Sequence, residues 1–187
     1  MADETSRKVL VPVADGTEEI EAVCLIDVLR RAGAAVTVAS VCNQQVTCSR
    51  GVRLVADCLI GDCVAQVYDL IALPGGMPGA EHLRDCSDLA AMLKRQQQEG
   101  RLYAAICASP AVVLQHHGLL AGRRATCHPG FVQQLQDAAA VELRVVEDGN
   151  CITSRGPGTA LEFALALVAR LYGHEKAREV AAPMVVS

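Results

Sequence analysis

A cysteine stands where an apolar strand pattern changes directly into a helical one. Residues 102–106 read Leu-Tyr-Ala-Ala-Ile, Cys107 follows, and the small residue Ala108 begins an apolar run that predicts a helix over 108–117. A sharp strand-to-helix turn of this kind presents the nucleophile above the sheet in α/β enzymes. Free N–H groups at the helix start would favour the thiolate form. A buried structural cysteine is the alternative interpretation.

Glu21 is the second residue whose position suggests chemistry. In a helix it shares one face with positions 25, 28 and 32, which are all apolar. A carboxylate on such a face is costly unless it is paired or protonated. Burial would raise its pKa and make it a general acid or base near neutral pH. The alternative role, complementing the helix dipole, can be filled by Glu18 and Glu19.

A glycine pair and a histidine complete the candidate set. Gly75 and Gly76 follow another apolar strand pattern, where their missing side chains allow close backbone approach. Their N–H groups, together with that of Ala108, are suited to stabilise an oxyanion. The glycine spacing matches neither a dinucleotide fingerprint nor a P-loop. His128 would orient or deprotonate Cys107 if the fold joins them, although a lone histidine is more often structural.

The elements that must position these residues alternate between strands and helices. Predicted strands cover 9–14, 35–41, 68–73, 102–106, 125–127, 141–146 and 151–153, with a short hairpin over 46–55. Predicted helices cover 18–32, 89–98, 108–117, 159–172 and 174–182. This alternation indicates a parallel sheet covered on both faces. Ligands of such sheets bind at the carboxyl ends of the strands, where all the candidates fall.

Composition restricts the class of protein. The chain has 187 residues, of which 51% are hydrophobic and 20% charged, so one globular domain over 1–187 is expected. Aromatic residues make up 3% and the net charge is −4, which argues against nucleic acid and anionic membranes as partners. The apolar runs are too short to cross a bilayer. Nine cysteines without a signal peptide or a Cys-x-x-Cys motif predict reduced thiols, a cytoplasmic location and no metal site.

Five segments, taken in order, resemble the ThiJ/PfpI superfamily, specifically its Parkinsonism-associated protein deglycase branch. They are Asp15-Gly16-Thr17-Glu18-Glu19-Ile20-Glu21, Leu73-Pro74-Gly75-Gly76, Ala104-Ala105-Ile106-Cys107-Ala108, His128-Pro129 and Thr153-Ser154-Arg155-Gly156-Pro157-Gly158-Thr159. Cys48-Ser49-Arg50 fits the same pattern. The resemblance extends over residues 8–186.

The resemblance implies a flavodoxin-like three-layer α/β/α sandwich with a mostly parallel central sheet, and a homodimer. It also implies a site without a cofactor, in which a thiol attacks, a carboxyl moves protons and a histidine assists. The implied roles are nucleophile for Cys107, acid/base for Glu21, auxiliary for His128, and oxyanion or substrate binding for Gly75, Gly76 and Ala108.

The activity implied by the resemblance is conversion of methylglyoxal or glyoxal to hydroxy acids without glutathione, a glyoxalase III-type (D-lactate dehydratase) reaction. Deglycation of protein or nucleotide adducts would use the same thiol. The alternatives are a redox-sensing stress protein or chaperone that oxidises Cys107 and, less favoured, a cysteine peptidase.

Three positions depart from the family pattern. Ser109 stands where many relatives have glycine and is expected to add a hydroxyl beside the nucleophile. Cys127 replaces a residue that is often threonine, and Val55 occupies the place of a peripheral cysteine of the mammalian protein.

Overall fold

A computed structural model describes residues 6–186, and the predicted domain limits at 1–5 and 187 lie outside the described residues. The strands are β1 (Lys8–Val13), β2 (Ala35–Ser40), β3 (Gln45–Thr47), β4 (Arg53–Val55), β5 (Cys58–Leu59), β6 (Leu70–Leu73), β7 (Leu102–Ile106), β8 (Val145–Asp148) and β9 (Cys151–Ser154). The α-helices are α1 (Glu19–Arg31), α2 (Gly79–Asp85), α3 (Ser87–Gln98), α4 (Ala160–Tyr172) and α5 (His174–Ala181).

Seven strands form the central sheet in the order β5-β2-β1-β6-β7-β9-β8. Every neighbouring pair is parallel except β8 and β9, which form an antiparallel hairpin at one edge. A separate antiparallel hairpin joins β3 and β4. Because β1, β6 and β7 are adjacent and parallel, the loops after them meet at one rim of the sheet, which confirms the predicted architecture.

The sheet divides the core into two layers, and the side chains of β1 alternate between them. Val9, Val11 and Val13 pack in the layer that contains α1 and α4, whereas Leu10 packs in the opposite layer with α3. Successive side chains of a strand point to opposite faces, so a continuous apolar run suits a strand that is buried on both sides. The three-layer α/β/α sandwich is therefore confirmed.

Several element bounds differ from the predicted ones. Within the described residues, 125–127 form no strand, since the Thr126 N–H donates to the Thr153 side-chain hydroxyl (3.0 Å) instead of a backbone partner. The predicted helix over 108–117 is a π-helical segment at Pro110–Gln115, and β8 starts four residues later than predicted. The short elements β5 and α2 were not predicted, because neither is long enough to show a periodic pattern.

Candidate active site

Cys107 lies at a sharp turn immediately after β7. Its φ is +65°, which is the left-handed region that non-glycine residues rarely adopt. Backbone hydrogen bonds hold the turn on both sides: the Cys107 N–H donates to Ser154 O (3.0 Å), and Cys107 O accepts from the His128 N–H (2.8 Å). A strained residue persists only where its surroundings fix it, and such residues concentrate at functional sites. The predicted strand-to-helix elbow is confirmed.

The glycine pair after β6 packs directly against this turn. A Cβ on Gly75 would lie 2.6 Å from the Cys107 Cβ, and a Cβ on Gly76, whose φ is +90°, would lie 2.4 Å from Gly16 O. No larger residue fits at either position. The backbone amides of Gly76 and Ala108 act to lower the pKa of the Cys107 thiol and so favour its thiolate.

Glu21 is completely buried on the first turn of α1. The Gly75 N–H donates to its Oε2 at 2.7 Å, whereas Oε1 has no hydrogen-bond partner among the described residues. Burial raises the pKa of this carboxyl from 4.5 to about 7. Hydrogen bonds from Gly75 and the Cys107 thiol oppose the rise, and the charge of Glu18 adds to it. The buried acid/base predicted on this helix face therefore has a pKa near neutral pH.

The thiol does not show the lowered pKa expected from the helix start. Burial, the Glu21 charge and the hydrogen bond with Glu21 raise the pKa of Cys107 from 9.0 to about 12, against the opposing Gly76 and Ala108 amides. The expectation was wrong because it considered the amides and omitted desolvation and the neighbouring carboxylate. Two groups in such contact lose their protons as a pair. The pair therefore loses its first proton near pH 7.

His128 lies beside the same turn but is held in a way that restricts its chemistry. Its Nδ1 accepts a hydrogen bond from the Gly130 N–H at 3.1 Å. A neutral imidazole whose Nδ1 accepts carries its proton on Nε2. Nε2 is then a donor, which suits a substrate oxygen better than it suits removal of the thiol proton.

A cavity of about 270 Å³ opens above the sulfur, and Cys107 itself is 9% exposed. Four predicted residues line it, which are Gly76, Cys107, Ala108 and His128. The other two, Glu21 and Gly75, do not line the cavity and are joined by the hydrogen bond from the Gly75 N–H. The prediction missed other lining residues, which are Glu18, Ser49, Arg50, Met77, Phe131 and Pro157.

Two of the missed residues are held in place by carboxylates of α1 and its preceding turn. The Ser49 hydroxyl donates to Glu18 Oε2 (2.7 Å) and Glu19 Oε2 (2.9 Å), and the Arg50 N–H donates to Glu19 Oε1 (2.9 Å). The available signal was the Cys48-Ser49-Arg50 segment, which fits the family pattern.

Ser109 and Cys127, the two departures near the site, both turn away from the cavity. The Ser109 side chain is buried, and its hydroxyl donates to Pro74 O at 2.6 Å, so it links the elbow to the glycine loop. Cys127 is buried too, with its sulfur 3.4 Å from His128 O. Neither adds a reactive group beside Cys107.

All nine cysteines are free, and in the described part of the chain no three His, Cys, Asp or Glu side chains lie close enough together to bind a metal ion. The helices of the described residues include none with the length and apolar character that a membrane span requires.

Comparison with known proteins agrees with this geometry. The chain is 54% identical to protein DJ-1 homolog B of Arabidopsis thaliana over 184 residues, which are 97% of this chain and 42% of that protein. It thus spans less than half the length of this plant relative. It is 39% identical to the glutathione-independent glyoxalase DJR-1.2 of Caenorhabditis elegans over 189 residues, covering 100% of both chains.

A solved structure and a family profile extend the comparison. Oxidized DJ-1 of Toxoplasma gondii superimposes with a TM-score of 0.95 at 52% sequence identity, over 97% of this chain and 100% of that one. The profile of the DJ-1/PfpI family matches residues 7–170, which include every residue of the cavity. The chain belongs to the DJ-1/PfpI family.

Proposed function

We propose that this protein is a glutathione-independent glyoxalase that converts methylglyoxal and glyoxal to hydroxy acids. The observation that carries the proposal is a fully buried carboxyl with a pKa of about 7 in contact with a cysteine at a strained turn. The name of the Caenorhabditis elegans relative, a glyoxalase, supports the same activity. The cavity of about 270 Å³ suits a small dicarbonyl compound.

The reaction begins when the Glu21 carboxylate accepts the proton of the Cys107 thiol. The thiolate adds to the aldehyde carbon of methylglyoxal, and the resulting hemithioacetal oxygen is stabilised by the Gly76 and Ala108 amides. His128, with its proton on Nε2, is placed to donate to the neighbouring carbonyl oxygen. Each of these groups acts on charge that develops during the addition.

The second stage moves hydrogen between adjacent carbons. Glu21 first gives the thiol proton to the hemithioacetal oxygen and so becomes a carboxylate again. It then removes the proton of the former aldehyde carbon while His128 protonates the neighbouring carbonyl oxygen, and an enediol forms. Glu21 returns its proton to the neighbouring carbon as the hydroxyl of the former aldehyde carbon gives its proton back to His128, which leaves a thioester on Cys107. Water cleaves the thioester and releases lactate together with the free thiol. One carbon is oxidised and its neighbour is reduced, so the reaction needs no external oxidant, reductant or cofactor.

Methylglyoxal consumption and lactate release test the proposal in two variants. Cys107→Ala is expected to reduce turnover to the uncatalysed background, because no nucleophile remains. Glu21→Gln is expected to reduce kcat by about 10²–10⁴-fold, the usual contribution of a general acid/base. Cys42→Ala is the matched control, since Cys42 is an exposed cysteine outside the cavity. Wild-type turnover in either site variant would refute the mechanism.

Deglycation of protein or nucleotide adducts is a further proposed use of the same thiol. Arg50 lines the cavity and is exposed to solvent, which supports the proposal that a substituent on the aldehyde carbon need not be enclosed. Release of free amine from a glycated peptide by wild type but not by Cys107→Ala tests this activity separately from lactate formation.

Redox sensing is the second candidate function, favoured by the free oxygen of Glu21. Oxidation of Cys107 to a sulfinate would add acceptor oxygens beside the Glu21 carboxyl, which can donate to them when it is protonated and whose Oε1 has no partner among the described residues. Mass spectrometry after limited peroxide treatment tests it: Cys107 should oxidise before the exposed Cys42. Earlier oxidation of Cys42 would contradict it.

A cysteine peptidase is disfavoured by the histidine geometry. Peptidase chemistry needs a histidine base that accepts the thiol proton and a third group that orients it. Here the only hydrogen bond to the His128 ring among the described residues comes from the Gly130 N–H, and it leaves the accepting nitrogen occupied.

A further inference from the structure

Two cysteines far from the elbow lie in mutual contact. Cys58 is in the edge strand β5, Cys63 ends the 3-10 turn Ile60–Cys63 that follows it, and their sulfur atoms are 3.5 Å apart. A disulfide has an S–S distance of about 2.05 Å. A shift of about 1.5 Å in the sulfur positions, within reach of side-chain rotation, would therefore bring the two sulfurs to bonding distance.

The two thiols differ in their exposure to solvent. Cys58 is partly exposed, whereas Cys63 is fully buried in the layer that contains α3. The Tyr68 hydroxyl is buried beside Cys63 and has no hydrogen-bond partner among the described residues. A phenol in this position can donate to a thiolate that forms on Cys63. The Cys58 thiol is thus accessible to solvent, and the Tyr68 hydroxyl is available as a hydrogen-bond donor to Cys63.

We propose that Cys58 and Cys63 form a second redox site, which is oxidised by small disulfides such as oxidised glutathione and acts independently of Cys107. The Cys58 thiolate attacks the small disulfide, forms a mixed disulfide and releases one thiol. The Cys63 thiolate then attacks the Cys58 sulfur and releases the second thiol. The two cysteines lose two electrons and two protons, and the small disulfide is reduced to two thiols.

The two steps differ in what limits them. Burial, followed by the hydrogen bond from Cys63, raises the pKa of Cys58 from 9.0 to about 11. Exchange depends on the thiolate fraction, so the first step is slow at neutral pH and its rate rises about tenfold per pH unit below that pKa. The second step is fast, because the sulfur atoms are already in contact.

Tryptic digestion isolates this pair for a direct test. Cleavage after Arg53 and Arg84 yields peptide 54–84, whose only cysteines are Cys58 and Cys63. The full-length protein is incubated with oxidised glutathione at pH 8, and the remaining thiols are alkylated. The protein is then digested, and the mass of the peptide is measured by mass spectrometry. The expected product lacks two hydrogen atoms and carries no alkyl group.

Single-residue variants distinguish the roles of the two thiols. Cys63→Ser is expected to accumulate the glutathione adduct on Cys58, because the second step is blocked. Cys58→Ser is expected to leave Cys63 without an adduct, because that thiol is buried. Both variants should keep wild-type methylglyoxal turnover, and Cys107→Ala should oxidise at this peptide as the wild type does.

The exposed Cys42 serves as the internal control for the oxidant. If Cys42 carries glutathione while peptide 54–84 keeps two alkyl groups at every ratio of oxidised to reduced glutathione, the proposal is overturned. A disulfide that joins Cys58 to any cysteine other than Cys63 overturns it as well. Loss of methylglyoxal turnover in Cys107→Ala bears only on the glyoxalase proposal, so the two failures are distinguishable.

Discussion

One buried carboxyl beside one thiol determines the chemistry available at the elbow. Burial makes ionisation of both groups harder, and the negative charge of Glu21 makes ionisation of the Cys107 thiol harder still. The carboxyl keeps its proton up to about pH 7, and burial and the carboxylate together raise the thiol pKa to about 12. Removal of one proton from the pair therefore produces the reactive state, and the rate constant kcat/KM should rise with pH through about 7.

The raised pKa of Glu21 makes a prediction about stability. Its pKa is 4.5 when unfolded and about 7 when folded, so the folded protein binds the proton more tightly. This contribution is complete below pH 4.5 and is lost as the pH rises through 7. It amounts to about 3 kcal/mol, at 1.36 kcal/mol per pKa unit.

Denaturant unfolding of wild type and Glu21→Gln measures this effect. Between pH 4.5 and pH 8 the free energy of unfolding of the wild type should fall by about 3 kcal/mol relative to the variant, which has no group to ionise. Equal pH dependence in the two proteins would show that folding leaves the pKa of Glu21 unchanged, and a relative rise in the wild type would show that folding lowers it.

At the scale of elements, the site depends on contacts between the loops that follow β1, β6 and β7. Backbone packs on backbone there, because Gly16, Gly75 and Gly76 leave no room for a Cβ. Ser109 adds the polar link, since its buried hydroxyl joins the elbow to Pro74 O at 2.6 Å. The amides proposed to bind the oxyanion, those of Gly76 and Ala108, come from two different loops, so their separation depends on this link.

Ser109→Ala tests the link. The change leaves a buried carbonyl without its donor, which costs about 1–3 kcal/mol of stability. It should also lower kcat for methylglyoxal more than it raises KM, because the Gly76 and Ala108 amides act on charge that develops in the transition state.

A matched control comes from β7, the strand that precedes the elbow. Tyr103→Phe also removes a buried hydroxyl that donates to a backbone carbonyl, that of Leu119 at 2.8 Å, but it lies outside the cavity. The control should lose similar stability and keep wild-type kcat. If both variants show the same kinetics, Ser109 contributes to stability alone.

At the scale of the whole molecule, one face carries several exposed apolar side chains. Ile20 and Val23 of α1 are about half exposed, and Val52 and Val55 of the β3–β4 hairpin are 47% and 68% exposed. Val23 and Val55 border the same groove of about 280 Å³. Adjacent exposed apolar side chains of this kind are typical of a subunit interface, and we propose that they form the homodimer expected from the family.

Val55→Asp tests the assembly by placing a charge in the centre of that face. Sedimentation equilibrium should show a dimer for the wild type and a monomer, or a dimer dissociating at least tenfold more readily, for the variant. Val67→Asp is the control, because Val67 is 57% exposed but does not border the groove. A dimeric Val55→Asp protein would place the interface elsewhere.

Local pattern was sufficient to predict most strands and the elbow. The apolar run of β7 followed by Cys107 and small residues specifies a sharp turn, and Glu21 on an apolar helix face specifies a buried carboxyl. These features depend on residues that are near one another in the chain, where periodicity and residue size act directly. The same holds for the alternation that leads to a parallel sheet.

Only the tertiary structure decided which distant groups share an environment. The pKa of the Cys107 thiol depends on burial and on a carboxylate 86 positions away in the chain. The Ser109 hydroxyl donates to the glycine loop and does not enter the cavity. The Thr126 N–H donates to a side-chain hydroxyl, so it does not extend a strand. Desolvation and hydrogen bonding join residues that are distant in the chain, so they cannot be predicted from local periodicity. Sequence pattern therefore determined the chemical groups and their supporting elements, and packing determined the protonation and contacts of those groups.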